Sequence, residues 1–201
     1  MRYFIEVESS EQVKARLLFS GGILLLIFGV LIGLICDIFD GILFVFDLVG
    51  CLFLWMGTML WTEGKWKTTA SLFAIAFVLR LALLMWDPRG VFSFLLYLPY
   101  SLTLLVGLLR VLDGFYKYLE RRAVPDAREW PVRAQQMLAR SEVSYWVAVL
   151  IAYLSPLMAF PAFLLYAFSL GVRLWVALML LRRPQFLSKG LYLKEKSLRA
   201  Q

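Results

Sequence analysis

Three ionisable residues fall inside long apolar stretches of this chain: Asp47, Arg80 and Arg173. A charge on a membrane-crossing helix is costly, so such residues face a protein interior or a water-filled cavity and mark binding or conduction sites by default. One carboxylate and two guanidiniums suit the capture of a small polar solute by charge and hydrogen bonding. Bond-making chemistry has less to work with. The chain contains no histidine, which removes the commonest general base and the commonest ligand of catalytic metals. No HExxH, GxSxG or GxGD motif occurs. Cys36 and Cys51 form no CxxC pair and are expected at different depths, so neither a disulfide nor a metal framework is expected. The residues therefore predict a non-enzymatic protein without metal or cofactor, with Asp47, Arg80 and Arg173 as its ligand-binding candidates.

Two further aspartates, Asp37 and Asp40 in the stretch DIFDG, are similar to the paired aspartates of phospholipid headgroup transferases. That family also carries a downstream Ala-Arg and two more spaced aspartates. None follows here, so the resemblance is set aside. A lipid-modifying enzyme using Asp37 and Asp40 to bind a divalent metal stands as a third reading behind two others given below.

The elements that must hold these residues follow from composition. Hydrophobic residues make up 62% of the 201 and charged residues 17%, against about a quarter charged in soluble domains. The apolar residues come in charge-poor runs long enough to cross a hydrocarbon layer of about 30 Å. The sequence predicts an all-α bundle of six transmembrane helices spanning about 17–36, 41–62, 68–86, 90–109, 143–159 and 161–181. The first run follows a segment with three glutamates, which favours a retained helix over a cleaved signal. The 143–181 stretch is about twice the length of one crossing, and Pro156 and Pro161 near its middle predict a reversal around 157–160.

Charge sets the expected orientation, because loops rich in Lys and Arg stay cytoplasmic. With six spans and both termini cytoplasmic, all but three of the 21 Lys and Arg residues fall inside; Arg89 lies in an outer loop, and Arg80 and Arg173 lie within spans. Trp61, Trp66, Trp86 and Trp146 fall near the expected interfaces. Residues 110–142 form the only sizeable connection, between the fourth and fifth spans. Its basic residues alternate with Phe115, Tyr116, Tyr118, Trp130 and Met137, which predicts short amphipathic helices at headgroup level. The basic tail 182–201 adds a surface for anionic lipid. The net charge of +7 is accounted for by orientation, so no nucleic-acid partner is expected.

Helices two and three are joined by the short turn EGKWK, so Asp47 and Arg80 sit on antiparallel neighbours. They lie about 18 and 15 residues from that turn, roughly 4 to 5 Å apart in depth, which allows a salt bridge. Arg173 falls near mid-bilayer and needs a partner. Helix five offers no carboxylate within its expected span, leaving Asp47, backbone carbonyls, a bound anion, a lipid headgroup or another subunit. Gly29 and Gly33 form a GxxxG motif with Gly22 on nearly the same face, which predicts close helix packing, within the chain by preference and against a second copy in a homo-oligomer as the alternative; Ala70 and Ala74 offer a lesser example.

The leading expectation is a small-solute transporter, or the membrane subunit of one. The alternative is a non-catalytic scaffold or assembly factor that binds protein subunits through the cytoplasmic segment and tail. The lack of a transit or signal sequence points to a bacterial or archaeal cell membrane.

Overall fold

A computed structural model describes residues 10–35, 40–61, 66–86, 91–121, 129–154 and 159–181. These residues form six α-helices: α1 Ser10–Ile35, α2 Asp40–Leu60, α3 Trp66–Trp86, α4 Val91–Arg121, α5 Glu129–Leu154 and α6 Ala159–Leu181. Four contain stretches long and apolar enough to cross a membrane: Ser10–Leu31, Trp66–Met85, Tyr97–Glu120 and Phe160–Leu181. In α2 the apolar part with described side chains, Phe44–Leu60, is shorter. Large apolar side chains such as Val78, Met85, Val143 and Phe160 are exposed on the outside of the bundle. Water would penalise that surface; a bilayer would not.

Each helix packs against the next, and α6 closes back on α1. The residue pairs that meet show every seam to be antiparallel. On α1 and α6, the Arg16 guanidinium donates to the Leu180 carbonyl at 3.1 Å and the Ser20 hydroxyl to the Ala177 carbonyl at 2.9 Å. Leu180 lies in the last turn of α6, where carbonyls have no partner within the helix, so Arg16 also caps that end. The N-terminal end of α1 and the C-terminal end of α6 therefore share one end of the bundle.

Small residues set the spacing of α1 and α2. A Cβ on Gly22 would lie 2.9 Å from the Gly50 carbonyl oxygen, and one on Gly50 would lie 3.0 Å from the Gly22 carbonyl oxygen. The approach expected of the glycine face of α1 is thus seen at Gly22, within the chain. On the α3 and α4 seam, the Phe73 ring fills the space that a Cβ on Gly107 would need. Ala70 is buried, whereas Ala74 is exposed; the second small buried residue of that face is Ala76.

The connection between the fourth and fifth spans differs from its expectation. Helix α4 continues to Arg121 and α5 begins at Glu129, so most of 110–142 is an extension of the two long helices. Gln135 donates to the Leu109 carbonyl at 3.1 Å across them. Phe115, Tyr118 and Trp130 are buried, and so is Trp61 from the end of α2. The Trp61 ring stacks on Phe115 with centroids 5.0 Å apart, and Phe19, Tyr118 and Trp130 pack around them. These aromatics fill the interior where the helix ends converge, so their rings face other helices. The reason is phase: Leu108, Val111, Leu112, Phe115 and Leu119 recur at helical spacing and form one buried face that runs past the end of the expected span.

Pro161 falls in the first turn of α6, where its missing N–H costs nothing. Of the reversal expected around 157–160, residues 157 and 158 lie outside the described residues, whereas Ala159 and Phe160 already belong to α6. Cys36, Asp37, Arg89 and the tail 182–201 also lie outside the described residues.

Candidate functional site

Buried polar residues converge in the half of the bundle away from the aromatic cluster, and helical periodicity brings them there. On α2, Asp47, Cys51 and Leu54 share one inward face; on α3, Phe73, Ala76 and Arg80 do the same. On α4 the face is Tyr97, Tyr100, Ser101 and Leu104, and on α6 it is Tyr166, Ser169, Leu170 and Arg173. Both run at the i, i+3, i+4, i+7 spacing of a single helical stripe.

The expected pair of Asp47 and Arg80 forms. The Arg80 Nη2 lies 2.6 Å from Asp47 Oδ2, with side chains 4% and 11% exposed. The guanidinium also donates to the Tyr97 hydroxyl. It lies over the Phe44 ring at 3.9 Å and is within 5.0 Å of Tyr97 and 5.6 Å of Tyr100. Aromatic faces thus surround a cation whose charge one carboxylate neutralises.

Arg173 has the carboxylate partner that helix five was expected to lack. Its Nη2 lies 2.6 Å from Glu142 Oε2, and Glu142 is 5% exposed. The sequence reading placed Glu142 at the end of a cytoplasmic segment, but α5 runs unbroken through it. One signal was available: Ala134, Leu138, Ser141, Glu142 and Ala148 are all buried and in helical phase, so the inward stripe of the 130s continues into the apolar run. The other Glu142 oxygen accepts the Ser101 hydroxyl proton, and Ser101 accepts the Trp146 indole N–H at 3.2 Å. This relay joins α4 to the α5 and α6 pair.

Asp47 and Arg173, the inward members of the two pairs, line a cavity of about 70 Å³. Tyr97, Tyr100, Tyr145 and Ser169 form further parts of its wall. Arg80 and Glu142 stand behind the members they neutralise. The Nε atoms of Arg80 and Arg173 are buried and make no hydrogen bond. A guanidinium carries five N–H donors, and a buried one left unused is a place where a ligand or water gains. The three candidates named from sequence therefore come together around one site, to which Glu142, Ser101 and four tyrosines are added.

Among the described residues, no group of three or more Cys, Asp or Glu side chains is arranged to hold a metal ion. Asp37, and the side chain of Asp40, fall outside the description. The chain matches no protein-family model, no curated protein and no solved structure.

Proposed function

We propose that this protein is a six-span membrane protein of the cell membrane, with both termini cytoplasmic, that carries a small polar solute by way of the cavity between Asp47 and Arg173, either alone or as the membrane subunit of a transporter. The observation that carries the reading is the cavity itself: a pocket between the helices whose largely apolar wall carries the opposite charges of Asp47 and Arg173 and the hydroxyls of Tyr97, Tyr100, Ser101 and Ser169. Two buried ion pairs would suffice to lock helices together with no space between them. Space left between them, lined by hydroxyls together with Asp47 and Arg173, favours a ligand.

The antiparallel ring and the contact between Arg16 and Leu180 support an even number of crossings. The concentration of Lys and Arg at that end supports its being cytoplasmic. On that orientation the aromatic cluster of Trp61, Phe115 and Trp130 closes the cytoplasmic side of the site. The site is read as one for binding, because its ionised groups neutralise one another in pairs.

The test is flux in proteoliposomes containing the purified full chain and a mixture of labelled small solutes: amino acids, short carboxylates, amines and inorganic phosphate. At least one is expected to equilibrate faster than in protein-free vesicles, and at least tenfold more slowly when Asp47→Asn or Arg173→Gln replaces the native chain. Flux that neither substitution changes in correctly folded protein would refute the assignment, and no flux at all would refute carriage by the chain alone.

A further inference from the structure

We infer that the ligand of this cavity is a small zwitterion of the amino-acid type, its carboxylate held by Arg173 and its ammonium by Asp47; this deepens the reading of the site as a solute carrier and rests on it. The argument begins with which half of each ion pair faces inward. Asp47 and Arg80 come from α2 and α3, and only the carboxylate lines the cavity; Glu142 and Arg173 come from α5 and α6, and only the guanidinium does. A site for a simple anion would turn both cations inward, and a site for a simple cation both carboxylates. Here one of each is presented, on opposite halves of the helix ring.

Each inward group has capacity to spare. Arg173 uses Nη2 on Glu142 and leaves its buried Nε unbonded. A guanidinium carries five N–H donors in all, so Arg173 has more than the one it gives to Glu142. Asp47 gives Oδ2 to Arg80, and a carboxylate offers about four lone-pair sites in all. Tyr97, Tyr100 and Tyr145 form part of the wall, and aromatic faces attract an ammonium group without adding charge. Binding a zwitterion then leaves the buried net charge at zero, so no uncompensated ion enters the low-dielectric interior.

Volume limits the rest of the molecule. A buried water takes about 10 to 15 Å³ of such space, so about 70 Å³ holds roughly five water-sized occupants. That suits glycine or alanine. An aromatic or long-chain amino acid does not fit unless the helices part.

The experiment is equilibrium binding of labelled glycine to the full chain in lipid nanodiscs, with unlabelled alanine, acetate, methylammonium and inorganic phosphate as competitors. Alanine is expected to displace glycine, while acetate, methylammonium and phosphate require at least tenfold higher concentrations. Ser169→Leu fills the cavity while leaving all four charged side chains in place, and it is expected to abolish glycine binding even if Asp47→Asn proves too unstable to purify. Displacement by acetate or phosphate as effective as by alanine would overturn the inference in favour of an anion site at Arg173. Equal displacement by methylammonium would overturn it in favour of a cation site at Asp47. Absence of glycine binding in the native chain overturns it outright. None of these results removes the carrier reading, which is decided by the vesicle experiment.

Discussion

The two buried ion pairs solve one physical problem in different ways. Arg80 is surrounded: a carboxylate, a tyrosine hydroxyl and three aromatic rings approach it, and its side chain is 4% exposed. Arg173 has Glu142 and a single ring, Tyr145, at 5.8 Å, and its side chain is 15% exposed. The first pair is thus insulated on its cationic side and offers its anion to the cavity. In the second the anion is insulated, held by the Ser101 hydroxyl, and the cation is offered. Buried charge is tolerated in each case because one partner is secured on several sides. The partner with fewer contacts is the one free to meet a ligand.

That difference predicts unequal costs of breaking the pairs. Glu142→Gln removes the single carboxylate beside Arg173 and is expected to have the largest effect, about 3 to 5 kcal/mol, because a buried cation is left uncompensated. Denaturant unfolding in mixed micelles measures it. The double substitution of Glu142 by Leu and Arg173 by Met should recover most of the loss, since an ion pair exchanged for apolar side chains is often neutral. A double variant as unstable as the single one would show that Glu142 acts through something other than Arg173.

Asp47→Asn is expected to cost less, roughly 2 to 3 kcal/mol, because desolvated cation–π contacts of up to about 2 kcal/mol remain at Arg80. The ordering is the point of the comparison. If Asp47→Asn proves the costlier of the two, the rings around Arg80 do not substitute for a counter-charge, and the contrast between the pairs collapses.

The two pairs also differ in how far sequence could reveal them. Asp47 and Arg80 stand on helices joined by a short turn, so counting residues from that turn is enough to bring them level. Glu142 and Arg173 stand 31 residues apart on α5 and α6, and their depths too nearly match. What hid Glu142 was a boundary drawn by charge: Arg140 and Glu142 end the polar stretch, so hydropathy alone stops the span at 143. Burial does not follow that boundary, because the inward stripe of α5 depends on helical phase and continues from Ala134 to Ala148. The aromatic cluster was obscured in the same manner. Trp61 and Trp130 sit at span ends, where an interfacial role is the usual one, and only the packing of α2 against the extended α4 and α5 turns them inward. Helix count and antiparallel order are local properties and can be read along the chain. Which helix extension meets which is a property of the assembled ring.

The smallest expected effect concerns the relay that fastens the second pair to α4. Ser101 has one hydroxyl proton and directs it to Glu142, so the bond it accepts from Trp146 Nε1, at 3.2 Å, serves to orient that hydroxyl. Trp146→Phe deletes this N–H while keeping a ring beside Tyr145, and its expected cost is one neutral hydrogen bond, about 0.5 to 1.5 kcal/mol. Ser101→Ala removes the bond to the carboxylate as well, and bonds to charged groups contribute about 1.5 to 3 kcal/mol. Hydrogen exchange of the α4 and α5 amides, compared between the two variants, separates orientation from charge stabilisation. Faster exchange in both, greater in Ser101→Ala, means that the hydroxyl ties the two helices together and the indole only aims it. Equal effects would mean that the indole supports the helix contact directly, and that the insulation of Glu142 depends on packing more than on the proton it accepts.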